Sequence, residues 1–170
     1  MAVGPTTVYP SAVPISLAEG TPKTYGPVTT TAGAATATRT VPGEGAWYVL
    51  GARVSITTDA NVANRSPILR ITDGNTRWWE IALSNVIAAG TTQVFALAPS
   101  IALASVGLPG ENGVVPLPNA VLEPGSTIEI NLANVQVGDT ITTTYRVLEL
   151  PYGPTGYVRG PALIDTGESG

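Results

Sequence analysis

The sequence contains no cysteine and no histidine. It therefore has no disulfide, no thiol nucleophile, no imidazole to move protons near neutral pH, and none of the thiolate or imidazole ligands that hold zinc. Charge is scarce too, at 12% of 170 residues, against about 25% in an ordinary globular chain. Seven of the eight basic residues are arginine and only Lys23 is lysine, and the net charge is −4 with no basic cluster anywhere. The electrostatic footprint of a nucleic-acid binder is missing, so nucleic acid is set aside as a partner. So little charge on a chain long enough for one domain with a real core predicts that part of the surface meets other protein.

Long apolar runs are lacking as well. Residues 81–110 carry no Asp, Glu, Lys or Arg, but "SNVIAAGTTQ" and Pro99 interrupt them, and a membrane helix needs about 20 apolar residues in a row. Membrane insertion is not expected. The opening "MAVGPTTVYP" has neither the basic start nor the apolar stretch of a secretion signal, which predicts synthesis in the cytoplasm.

What the chain does have is glycine and proline, 19 and 15 of them, with recurrent threonine and valine. That mixture favours strands and turns over helices. Residues 1–40 hold Pro5, Pro10, Pro14, Pro22 and Pro27 with ten threonines, and read as an extended arm that lies along a partner, since proline removes ladder donors. Val8, Tyr9, Ile15, Leu17 and Tyr25 are its candidate contact residues, too apolar together for a purely solvated linker. From 41 to 150, short apolar runs alternate with Gly, Pro and Asn clusters at the spacing of an all-β antiparallel sandwich. Strands are predicted near 46–58, 66–72, 76–84, 92–98, 113–121, 126–132 and 140–150. "STIEINL" is the clearest, with Ile128, Ile130 and Leu132 alternating with Glu129 and Asn131. Residues 151–170 return to Pro and Gly and read as a second extended tail, with Tyr152 and Tyr157 reaching a neighbour or folding back.

"RITDGNTRWWEIAL", residues 70–83, poses a register question, because adjacent strand residues face opposite ways. A three-residue loop Asp73-Gly74-Asn75 separates the faces, placing Leu69 opposite Trp79 and Ile71 opposite Arg77. Trp79 is then expected in the core, and Trp78 on the surface or at a seam, opposite Arg70 in a cation–π contact with Glu80 beside them.

Catalytic parts are few. Carboxylate-only chemistry needs two acids about 5–10 Å apart in a cleft, whereas the twelve acids are scattered and Glu80, Glu129 and Glu149 fit the wet faces of strands. "DANVAN", residues 59–64, offers oxygens to calcium, though an Asx turn between strands explains it as well. The chain is not expected to be an enzyme, and no cofactor or metal is expected.

The order of "WYVLGARVSITTDANVANRSPILRITDGNTRWWEI", "VPLPNAVLEPGSTIEI" and "VQVGDTITTTYRVLEL" resembles small jelly-roll structural proteins of tailed bacteriophages, several of which decorate or cement the capsid. The resemblance spans residues 41–150 through its DG turn, PGS turn and VGDTI strand start. It implies a virion protein made in the host cytoplasm and carried on the capsid exterior. Its partners would be the major capsid protein and its own copies, as a homotrimer. The competing expectation is a receptor- or carbohydrate-binding jelly-roll module of a tail or head fibre, with Trp78, Trp47 or Tyr48 stacked on sugar.

Overall fold

The computed structural model describes residues 20–84, 86–99 and 113–151. Ten strands make up its regular structure: β1 (Thr21–Thr29), β2 (Thr36–Thr40), β3 (Gly45–Thr57), β4 (Ser66–Asp73), β5 (Thr76–Ala82), β6 (Thr92–Pro99), β7 (Gly113–Leu117), β8 (Val121–Leu122), β9 (Thr127–Ala133) and β10 (Thr140–Pro151). Among the described residues there is no helix. Two sheets pack face to face. One has the order β1-β10-β3-β6-β7, with β8 beside β3, and the other the order β2-β9-β4-β5.

Period-two patterning produces the layers. In β9, buried Ile128, Ile130 and Leu132 alternate with half-buried neighbours, and β4 does the same with Leu69 and Ile71. These side chains meet Val54, Ile56, Phe95, Leu97, Ile141 and Val147 of the larger sheet in one continuous core. Full burial of each such side chain is worth about 1.5–3 kcal/mol. Strand β3 changes phase midway: Trp47 and Val49 point inward at one end, Val54 and Ile56 at the other. The register slips between Arg146/Gly51 and Val147/Val49 in its pairing with β10, and this bulge at Leu50 absorbs the odd residue.

Four antiparallel pairs are nested along the chain: β1 with β10, β2 with β9, β3 with β6, and β4 with β5. The pair β6–β7 is parallel, which departs from the expectation of antiparallel pairing throughout. Parallel neighbours need a return connection of about a dozen residues, and residues 100–112 stand between the two strands. The predicted run 113–121 also divides into β7 and β8 around Pro118 and Asn119.

The expected N-terminal arm is divided. Residues 21–29 and 36–40 are strands of the two sheets rather than an arm, so the sandwich begins about twenty residues before the predicted boundary at 41. Residues 1–19, with Val8, Tyr9, Ile15 and Leu17, lie outside the described residues, as do 152–170 with Tyr152 and Tyr157. Among the described residues strand β1 is paired on one side only, and nearly all of its residues are exposed. Pro22 and Pro27 remove ladder donors from it, and its register slips between Tyr25 and Val28. Such features discourage a second chain from adding to a sheet edge. At the slip Gly26 has φ +104°, and a Cβ there would lie 2.5 Å from the Thr143 carbonyl oxygen.

Candidate functional site

The hairpin β4–β5 separates its faces as the sequence predicts, but through a different register. Asp73 pairs with Thr76 and Thr72 with Arg77, so the loop is the two residues Gly74-Asn75; then the ladder slips, and Ile71 pairs with Trp79, Arg70 with Glu80 and Leu69 with Ile81. Trp78 is the extra residue of a bulge. Trp79 packs against the core on the inner side, and Trp78 is 42% exposed. The bulge achieves what a three-residue loop was expected to achieve, because either device supplies the single residue needed to bring the apolar positions into phase.

The outer face therefore differs from expectation at one contact. Arg70 does not sit opposite Trp78; its Nε donates to Glu80 Oε2 at 2.7 Å and its Nη1 approaches Glu129 Oε1 at 3.5 Å. Arg77 Nη1 donates to the same Glu80 oxygen at 2.6 Å. The hydrogen bond from Arg70, with Arg77 beside it, holds the Glu80 carboxyl below its ordinary range. Trp78 instead lines a shallow cleft of about 500 Å³ with Asp73, Val121, Glu123 and Ser126, between the hairpin and the turn that follows β8. Trp47 is fully buried and Tyr48 is half-buried, its hydroxyl donating to Asn119 Oδ1. Of the three aromatic residues named for sugar contact, Trp47 lies inside the core, whereas Trp78 and part of Tyr48 are accessible.

Two arginines that the sequence reading passed over occupy inward positions. Arg65 is fully buried. Its Nε and Nη2 donate to the two carboxylate oxygens of Asp139 at 2.9 and 3.0 Å, Nη2 also reaches Asp59, and Nη1 donates to the carbonyls of Asn61 and Ala63 at 2.6 and 3.3 Å. Asp59 accepts further from the backbone and side-chain amides of Asn61 and from Gly138 N–H. In "DANVAN" Asp59 thus forms the Asx turn, with both carboxylate oxygens engaged by Asn61, Arg65 and Gly138. Burial alone would raise the Asp139 carboxyl; the guanidinium and the N–H groups of Asp59 and Gln136 outweigh that and hold it below its ordinary value.

Arg39 stands on β2 between Thr38 and Thr40, on the inward side with Ala37, and pairs with buried Ile128. Its guanidinium crosses to the other sheet and lies 4.6 Å from the Tyr25 ring centroid and 5.7 Å from that of Trp47, while those two rings stack at 4.5 Å. The cation–π contact expected at Arg70 is therefore found here. Tyr25 is a wall of this stack rather than a contact residue of an arm: its hydroxyl donates to Glu149 Oε2 at 2.8 Å, and Lys23 Nζ pairs with the same oxygen at 2.7 Å. Among the described residues Arg39 Nε, Trp47 Nε1 and the Tyr145 hydroxyl are buried without hydrogen-bond partners. The only sequence signal was the alternation of "TATRT", which was absorbed into the arm.

Comparison with family models, with curated proteins and with solved structures gave no match for this chain.

Proposed function

We propose that the protein is a non-enzymatic structural component of a tailed-phage particle. It sits on the capsid exterior as a homo-oligomer, a homotrimer if the resemblance is followed, and binds the major capsid protein. The nested strand pairing supports reading the sandwich as a jelly roll: first strand beside last, second beside second-last, and the remaining pairs enclosed within them. The phage assignment itself rests on the sequence motifs.

The observation that carries the proposal is Trp78. It is a large aromatic residue exposed on an edge strand, where its charged neighbours Arg77 and Glu80 are held in ion pairs. Aromatic anchors of this kind dominate association energy when a partner covers them, whereas the surrounding charges set orientation more than affinity. Strand addition at β5 is opposed by the bulge and by Arg77 and Glu80, so contact is expected through the face and the Trp78 cleft. The test is co-sedimentation of the purified protein with phage heads that lack it, alongside its mass in solution. Trp78→Ala should weaken head binding or self-association at least tenfold and leave melting almost unchanged. Full-strength binding by the variant overturns the role of this face.

A second reading is favoured by the cleft itself, where Asp73, Glu123 and Ser126 stand around the indole. An exposed ring flanked by carboxylates and hydroxyls suits a sugar, whose C–H face packs on the ring while its hydroxyls find acceptors. Glycan-array binding that Trp78→Ala abolishes, with no binding to heads, would select this reading.

A further inference from the structure

Between β1, β10 and β2, at the side of the sandwich where the two sheets begin, lies a cavity of about 130 Å³. Its walls include Tyr25, Thr36, Arg39 and Tyr145, with exposed Val28 and Thr38 at its rim. The volume is well above the roughly 10–15 Å³ that a single water requires. We propose that this cavity binds a carboxylate, held by the in-plane edge of the Arg39 guanidinium and by the Tyr145 hydroxyl.

Three features lead there. Buried polar groups are almost always satisfied, and an exception calls for an explanation such as a ligand. Here two donors that line one cavity are buried and unpartnered together, Arg39 Nε and the Tyr145 hydroxyl. The Tyr145 residue is only 2% exposed, so open solvent does not serve it. Second, among the described residues Arg39 has no acidic partner. The carboxylate of Glu149 is engaged by Lys23 and Tyr25, and Arg65 takes Asp59 and Asp139. Third, the guanidinium carbon stands over the Tyr25 ring at 4.6 Å, so the ring occupies one side of the group and its N–H groups are left for a ligand.

The chemistry of that edge selects the ligand class. Guanidinium N–H groups lie in one plane and match the two oxygens of a carboxylate, a pairing stronger and more directional than a neutral hydrogen bond. One arginine supplies one positive charge, and the chain is net negative, so a monoanion is compensated where a phosphate dianion is not. The threonine-rich lining suits a small ligand body with some polarity. The carboxylate could belong to a free small acid or to the terminus of a peptide; the shared group is what the cavity recognises.

The test uses the full chain, uniformly labelled with ¹⁵N, titrated separately with sodium acetate, with N-acetylglycine as a peptide-terminus mimic, and with N-acetylglycine methylamide, which lacks the carboxylate. Sodium chloride at matched ionic strength is the blank. The Trp47 indole N–H, in the aromatic stack beside Arg39, is the reporter. Saturable shifts with acetate and N-acetylglycine, and none with the methylamide or chloride, are expected. Tighter binding of N-acetylglycine assigns the peptide source and tighter binding of acetate the free acid. Arg39→Gln should weaken binding at least tenfold, Arg39→Lys by less because it keeps the charge but not the planar edge, and Tyr145→Phe about threefold to tenfold. Absence of saturation, equal response to the methylamide, or unchanged titrations of Tyr145→Phe and Arg39→Gln would overturn the proposal. Because Tyr145→Phe removes a hydroxyl that has no hydrogen-bond partner in good geometry among the described residues, it keeps the test decisive if an Arg39 variant fails to fold.

Discussion

Arg65 and Arg39 both carry a guanidinium into the interior of the same sandwich, yet their surroundings are opposite. Arg65 finds two carboxylates and two carbonyls, and each of its three nitrogens donates. Arg39 finds two aromatic rings and a cavity, and its Nε donates to nothing. Burying a charge is costly unless it is paired and hydrogen-bonded. The first arrangement explains itself within the chain: Arg65 ties the loop after β3 to the turn before β10, fixing how two distant segments meet. The second finds no such partners among the described residues, and the proposed carboxylate would supply them. Satisfaction of the inward arginine, rather than its presence, is what distinguishes a structural tie from a binding site.

The largest effect is expected from breaking the satisfied arginine. Asp139→Ala removes the carboxylate that meets Arg65 at two points and leaves the cation buried. Removing one partner of a buried pair costs about 3–5 kcal/mol, which urea unfolding would register as a large fall in the midpoint. The same pair predicts the acid limb of stability. The folded-state pKa of Asp139 lies below its unfolded value of about 3.9. Its contribution is therefore full above that value and lost as pH falls through the lower folded-state value. Asp139→Asn should flatten the decline below about pH 4; parallel declines in the two proteins would show that other carboxylates govern acid unfolding.

The two arginines also differ in how far the sequence revealed them. Strands β3 to β6, β9 and β10 were legible within a residue or two, because their apolar positions alternate and Gly, Pro or Asn ends each run. β1 and β2 were not, because "TPKTYGPVT" and "TATRT" hold little apolar surface; they are edge strands that add only Tyr25 and Ala37 to the core and are held by ladder bonds to β10 and β9. Losing β2 to a supposed arm hid Arg39, whose inward position follows only once that strand is known. The aromatic pair shows the converse: face separation identified Trp79 as inner and Trp78 as outer, although the bulge responsible was not foreseen. Arg65 and Asp139 are 74 residues apart, and no local spacing could bring them together.

On the unsatisfied side, alkaline titration gives the next largest effect. Burial pushes the Tyr145 hydroxyl up to about 12, against a smaller opposing effect of Thr143. In the unfolded chain the group ionises near 10. A folded-state pKa above the unfolded one gives stability that is full below about pH 10 and is lost as pH rises through about 12. The loss is about 1.4 kcal/mol at pH 11 and approaches about 2.7 kcal/mol above pH 12. Tyr145→Phe should remove this share of the alkaline decline and leave stability at pH 7 level or slightly higher. An unchanged alkaline limb would mean that the hydroxyl gains a partner in solution, which would remove one of the two donors assigned to the cavity.

The smallest expected effect is the most informative about the comparison. Arg39→Met retains a flexible apolar stem that fills the same inward position and deletes the unpartnered donor. The lost cation–π contact is worth about 0.5–2 kcal/mol, depending on how far it is desolvated, and an unsatisfied buried donor costs about 1–3 kcal/mol. These oppose each other, so stability in the absence of ligand should change by less than about 1 kcal/mol, with the sign toward stabilisation. The same exchange at Arg65 strands two aspartates and should be strongly destabilising. If Arg39→Met proved as damaging as Asp139→Ala, Arg39 would be a tie like Arg65, its Nε satisfied by water held in the cavity. If it is neutral, the chain keeps at this position a charged residue that the described sandwich does not require for stability, as expected of a group that serves to bind what enters the cavity.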